Sequence, residues 1–323
     1  MDAHGYQQMI EFLRAQHDLL LCGHEDADAD CLGSILALYQ CFDGAGKNWR
    51  MVVEGRVQEN LHYLPGLEQM LAPAQLDIEP QAVLLVDCGD VARAGSWLPP
   101  LAQGLPLYCI DHHLSNAFTG NLAVVETQAA AAAEIVTAIC EQAGVVPGAA
   151  AALNLFSGIA ADTGCFRYLN TTPRCHRQAA WLQELGVDLE TVRIHLFEDR
   201  GCRNIKLLGL CCANMQSECG GLLAYSYLDR RSMERLGAGS ADTFDLVNYT
   251  LVLSGVKVGI LFEEYADHVK VSLRCRSGYR VDRLAAAWGG GGHALASGLK
   301  ASGSLQQVMP RLLADARQIF AQE

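Results

Sequence analysis

Short, nearly continuous apolar runs alternate with stretches of helical spacing through the first half of the chain. The runs 18–22, 49–53, 82–86 and 105–110 predict strands. None has the every-other-residue polarity of a half-exposed sheet, so they suit parallel strands covered on both faces. Residues 5–16, 31–42, 129–143 and 149–161 predict helices, the last two beginning in or near alanine-rich sequence. The alternation predicts an open, mainly parallel α/β sheet. From about residue 220 the pattern changes. Residues 222–228, 256–264 and 268–274 read as strands, and 232–236, 245–251, 282–288 and 305–321 as helices, which predicts a smaller α+β domain. Residues 188–217 have long helical periodicity. The expected organisation is a first domain over 1–187, a helical linker over 188–219 and a second domain over 220–323. The alanine run 129–133 reads as the start of a helix, not as disorder.

A chain of 323 residues is long enough for two cores, and 50% hydrophobic with 19% charged residues is an ordinary globular balance. No run of about 18 apolar residues predicts a membrane span, and the N-terminus lacks the basic start and apolar core of a signal peptide. A cytoplasmic protein is expected. The 13 cysteines are odd in number and scattered through apolar runs, so reduced thiols are expected rather than disulfides. The net charge of −12 argues against duplex nucleic acid as the main partner. Residues 1–219 hold 12 Lys and Arg against 26 Asp and Glu; residues 220–323 hold 12 against 10. The acidic part suits bound cations, and the remainder a small anionic ligand.

Four segments carry unusual chemistry. After the first strand comes Gly23-His24-Glu25-Asp26-Ala27-Asp28-Ala29-Asp30, with four carboxylates in six residues. At the carboxyl end of a parallel strand these would face the usual ligand crevice. The plain alternative is an acidic loop capping a helix. The run 82–86 ends in Asp87; the run 105–110 ends in Asp111-His112-His113; a small-residue segment ends in Asp162-Thr163-Gly164. Each acid alone could cap a helix, and two histidines alone could be surface residues. Jointly, four such ends favour divalent ions held by oxygen and imidazole, with no cysteine placed as a ligand. So many acids call for more than one ion, and paired ions suit hydrolysis at phosphorus.

The remaining signal is Trp288-Gly289-Gly290-Gly291-Gly292-His293. Consecutive glycines let backbone N–H groups approach an anion, with a flexible hinge as the plain alternative. Its spacing fits neither the dinucleotide fingerprint nor the phosphate loop. Upstream, Arg274 ends a strand and is a natural phosphate partner, with Arg276 and Arg280 nearby.

In this order the segments resemble the DHH phosphoesterase superfamily in its DHH/DHHA1 form. The compact length resembles its short-oligonucleotide branch, the nano-RNases that also remove the 3′-phosphate from phosphoadenosine phosphate. The resemblance implies that His24, Asp28, Asp30, Asp87, His112 and Asp162 hold two ions, Mn²⁺ first, with Mg²⁺ or Fe²⁺ as substitutes. Asp87 would bridge them, Asp111 would support the histidines, and His113 would face phosphate. Arg274, Gly291, Gly292 and His293 would grip substrate from the second domain, across an interdomain cleft. The implied partner is a short single-stranded oligonucleotide or small nucleotide, on a chain that could form a homodimer. Cyclic di-AMP, polyphosphate or pyrophosphate hydrolysis and non-catalytic nucleotide binding stand as alternatives. Many relatives carry a Ser-Ser/Thr pair ahead of a Glu where this chain has Ala130-Ala131-Ala132-Ala133-Glu134.

Overall fold

The computed structural model describes residues 3–44, 46–243 and 245–320, and for Ala3, Ser240, Ala241 and His293 only the backbone. The chain divides into two compact units, Met1–Asp199 and Arg200–Glu323. The first holds α1 (Ala3–Ala15), β1 (Leu19–Cys22), α2 (Ala29–Cys41), β2 (Arg50–Val52), β3 (Ala82–Val86), the single turn α3 (Leu98–Leu101), β4 (Leu107–Asp111) and β5 (Leu122–Val125). It continues with α4 (Ala132–Ala143), α5 (Ala149–Asp162), α6 (Pro173–Glu184) and α7 (Leu189–Arg193).

Its five strands are all parallel, in the order β2-β1-β3-β4-β5. β1 and β3 are buried at every position, as their unbroken apolar sequences require. Leu19, Leu21, Leu84 and Val86 pack into one core with α1, α2, α4 and α5; Leu20, Cys22, Val83 and Leu85 point into the other. The strand order reverses between β1 and β3, the topological switch point where open α/β sheets bind ligands outside the carboxyl ends of their strands. Those ends lead into the four segments singled out above, except that Asp162 arrives from the end of α5. Gly33 lets α2 lie against α5: a Cβ there would stand 2.4 Å from the Asn154 carbonyl oxygen.

Several elements depart from expectation for local reasons. β4 starts at Leu107 rather than 105 because Pro106 has no N–H to pair. α4 starts at Ala132, not at 129. Ala131 is extended, and Ala130 gives its N–H to Glu134 Oε2 (2.5 Å) instead of entering the helix. The stretch 188–217 breaks into α7, a π turn (Ile194–Glu198) and a further helix beginning after Gly201.

The second unit holds α8 (Cys202–Ala213), β6 (Gln216–Glu218), β7 (Leu223–Leu228), α9 (Arg230–Leu236), β8 (Val258–Glu264), β9 (His268–Cys275), α10 (Asp282–Ala287), β10 (Gly291–His293), β11 (Ala296–Ser302) and α11 (Leu305–Arg317). The expected helix at 245–251 forms 3-10 turns over Leu246–Val252, and residue 321 lies outside the described residues. The sheet order is β10-β11-β9-β8-β7-β6, with only β7 and β8 parallel. β9 alternates: Val269, Val271, Leu273 and Cys275 are buried, while Lys270, Ser272 and Arg274 share the half-exposed face. Among the described residues, no helix is long and apolar enough to cross a membrane.

Candidate active site

β1 delivers His24, whose ring Nδ1 lies 2.9 Å from the Glu25 carbonyl oxygen. A carbonyl only accepts, so Nδ1 carries the proton and Nε2 presents its lone pair. That atom stands 3.7 Å from Asp87 Oδ2. The same device orients His112, at the end of β4. Its Nδ1 faces the Ala129 carbonyl at 3.4 Å, and its Nε2 lies 3.3 Å from Asp162 Oδ2, 3.5 Å from Asp87 Oδ1 and 3.9 Å from Asp30 Oδ2. Asp87 therefore turns one oxygen toward His24 and the other toward His112. It is 2% exposed, and its Oδ1 is buried with no hydrogen-bond donor. A buried carboxylate oxygen without a donor costs about 1–3 kcal/mol or more unless a cation meets it.

Asp30 is fully buried at the N-terminus of α4, where Oδ2 accepts from Ala132 N–H (2.6 Å) and Oδ1 from Ala133 N–H (2.8 Å). Two main-chain donors and the helix dipole favour its anion. Gly158 makes room, since a Cβ there would come within 2.8 Å of Asp30 Oδ1. Asp28 caps α2, accepting from Asp30 N–H and Cys31 N–H at 3.0 and 3.1 Å. Capping thus occupies one of its oxygens, while its charge bears on Asp30, Asp87 and Asp162. Asp111 is buried and binds His113: Oδ1 accepts from His113 Nδ1 (2.7 Å) and from the His112 N–H (2.9 Å), and Oδ2 from the Asn116 amide (2.6 Å). Three sets of donor atoms each fall within 4.8 Å of one another: His24, Cys31 and Asp87; Asp87, His112 and His113; Asp30, His112 and Asp162.

The loops are held in demanding conformations. Asp26, Asp87, Cys165 and Phe166 all have positive φ, between 55° and 62°. For a phenylalanine this is a strained backbone that persists only where its surroundings impose it.

Burial, followed by the charges of Asp30 and Asp28, pushes the Asp87 carboxyl well above the usual range; burial and the same two neighbours do so for Asp162. Burial also raises Asp30, against the pull of His112 and the two α4 amides. Burial works upward on Asp111 too, but hydrogen bonds from His113 and Asn116 win and lower it. A carboxyl with a raised folded pKa keeps a proton that the unfolded chain releases, so metal-free stability falls as pH rises above about 4. In chelator the melting temperature is expected to drop between about pH 5 and 8, and a saturating divalent ion to reverse the trend. Melting curves across that range check this; a chelated protein that gains stability toward pH 8 contradicts it.

Arg274, Gly291, Gly292 and His293 belong to the second unit. Arg274 pairs across the sheet with Ala296, and Ala296 with His293, so the Arg and His positions share one row. The end of the glycine run, Gly291 and Gly292, is paired with β11 as a strand. Gly292 has φ 137°, and a Cβ there would meet the Ala296 carbonyl oxygen at 2.6 Å. The His293 side chain lies outside the described residues. Sequence reasoning passed over Asn116 and the amides of Ala132 and Ala133. The former is seven residues from the sulfur it also touches, and the latter have no side-chain signature.

Residues 18–159 match the DHH family, N-terminal domain, and residues 224–322 the DHHA1 domain. The chain is 32% identical, over 96% of its own length and 93% of the other's, to a bifunctional oligoribonuclease and PAP phosphatase NrnA from Thermus thermophilus. It is 25% identical to the protein of that name from Bacillus subtilis, over 90% and 91% of the two chains. In fold it is similar to a crystal structure of an exopolyphosphatase-related protein from Bacteroides fragilis, with a TM-score of 0.89 and 21% identity, covering 99% of this chain and 95% of that one. The chain belongs to the DHH/DHHA1 family, in its NrnA-like branch, and is a phosphoester-hydrolysing enzyme.

Proposed function

We propose that this enzyme hydrolyses short single-stranded oligonucleotides, linear dinucleotides and the 3′-phosphate of nucleoside bisphosphates, with two divalent ions, Mn²⁺ by preference. The observation that carries the reading is the placement of Asp87, a buried carboxylate between two imidazole Nε2 atoms with one oxygen lacking a donor. The donor set of carboxylates and imidazoles fits hard to borderline ions. His24, Asp28 and Asp87 would hold one, and Asp30, Asp87, His112 and Asp162 the other. Such ions lower the pKa of water and neutralise phosphoryl oxygens. The chain's residues do the positioning. Glu25 and Ala129 carbonyls fix the imidazole tautomers, and the α4 amides fix Asp30. Asp111 fixes His113 through Nδ1, and we assign its Nε2, in the doubly protonated ring, as a donor to a phosphate oxygen. Arg274 and the strand ending at His293 are assigned to the rest of the nucleotide, since a guanidinium and closely approachable amides suit a second phosphate. The names of the NrnA relatives support the substrate class.

The test sets metal-stripped protein, reloaded with Mn²⁺, against a dinucleotide, a five-nucleotide RNA, a nucleoside 3′,5′-bisphosphate, an RNA duplex and polyphosphate. Mononucleotide release from the first two and phosphate release from the third are expected, with the duplex and polyphosphate left intact. If the loaded protein binds the first three and cleaves none, the assignment fails.

A further inference from the structure

The set formed by His24, Cys31 and Asp87 contains a thiol that the hydrolytic reading above leaves unused. Cys31 stands in the first turn of α2, fully buried and directly after the expected ligand Asp30, with donor atoms of His24 and Asp87 within 4.8 Å. Its Sγ lies 3.6 Å from the Val86 carbonyl oxygen, directly ahead of Asp87. The sulfur packs against the backbone of Gly23, where a Cβ would come within 1.9 Å of it. Gly23 thus leaves the sulfur its place beside His24. The carboxylate of Asp87 is buried beside it and turns Oδ2 into this set, 3.7 Å from His24 Nε2.

We propose that Cys31 Sγ is an additional donor in the subsite of His24 and Asp87, which makes that one subsite selective for thiophilic divalent ions such as Zn²⁺ and Co²⁺ over Mg²⁺. The inference rests on the two-ion reading. Thiolate selects softer ions, whereas an all-carboxylate and imidazole set accepts Mn²⁺ or Mg²⁺. On coordination the thiol proton now shared with Val86 leaves to solvent, and no electron is transferred. The neighbouring set of Asp30, His112 and Asp162 contains no sulfur, so the two subsites differ in chemical hardness.

Co²⁺ titration of the metal-stripped full chain tests this by absorption. A thiolate-to-cobalt charge-transfer band in the near ultraviolet is expected, growing with the ion that fills this subsite. Cys31→Ala should lose the band yet bind the ion of the other subsite, and should bind Zn²⁺ at least about tenfold more weakly with Mg²⁺ affinity unchanged. Two cobalt ions bound without the band would overturn this inference alone, as would a band that persists in Cys31→Ala. Absence of bound cobalt would overturn it together with the two-ion reading. X-ray absorption on the wild-type zinc form needs no variant: a sulfur neighbour at about 2.3 Å is expected, and only nitrogen and oxygen neighbours would refute it.

Discussion

Asp87→Asn is expected to lower turnover about a thousandfold and to remove at least one of the two ions. The substitution keeps the shape of the side chain and removes the charge between His24 and His112. Assistance by a bound ion is worth several kcal/mol, and each ~1.4 kcal/mol is tenfold in rate. The same change should stabilise the metal-free protein. Asp87 is buried among other acids, and Asp30, Asp28 and Asp111 all press against its ionisation. Turnover, metal content by mass spectrometry and melting in chelator therefore move in opposite senses: activity and ion count down, melting temperature up by a few degrees. Activity within tenfold of wild type would remove Asp87 from the mechanism. A chelated variant that melts lower than wild type would show that the acids of this cluster are not in conflict.

Arg174→Met is expected to cost about 3–5 kcal/mol of stability, because it strips the cation from two carboxylates, one fully buried. Arg174 Nε lies 2.5 Å from Glu134 Oε1, and its NH2 nitrogen 2.7 Å from Glu126 Oε2. Glu134 is 1% exposed and also holds the Ala130 N–H. The melting temperature should fall by about 10 °C. A second change, Glu134→Gln, should recover part of that loss in the Arg174→Met background, since the unpaired charge is the main penalty. Thermal melts of the two single variants and the double variant give the coupling. Simple additivity would show that the pair contributes nothing beyond its packing.

The strand ends were readable because a parallel strand must be apolar throughout, so an acid closing it stands out, as at Asp87 and Asp111. The switch-point placement was not readable, because strand order depends on which elements pair rather than on any one of them. β11 escaped notice: Ala296-Ser297-Gly298-Leu299-Lys300-Ala301-Ser302 has small residues that blur its alternation. α6 escaped because its sequence is mostly polar, its buried stripe limited to Cys175, Gln178, Ala179 and Leu182. The glycine run was weighed between an anion loop and a hinge, yet Gly291 and Gly292 pair with β11, and the close approach of that strand leaves no room for a Cβ at Gly290 or Gly292. Cys31 was visible beside Asp30, but its proximity to His24 and Asp87 depends on the parallel pairing of β1 with β3.

The grip of α4 on Asp30 has a consequence for mutational drift. Its donors are the main-chain N–H groups of residues 132 and 133, which every amino acid except proline supplies. Exchange of those two alanines therefore leaves the hydrogen bonding intact, and absent hydroxyls there take nothing from it. The restriction is one of volume: both alanines are fully buried, and a Cβ on Gly158 would already stand 2.8 Å from that of Ala133. Substitutions at these positions should sort by bulk and not by polarity.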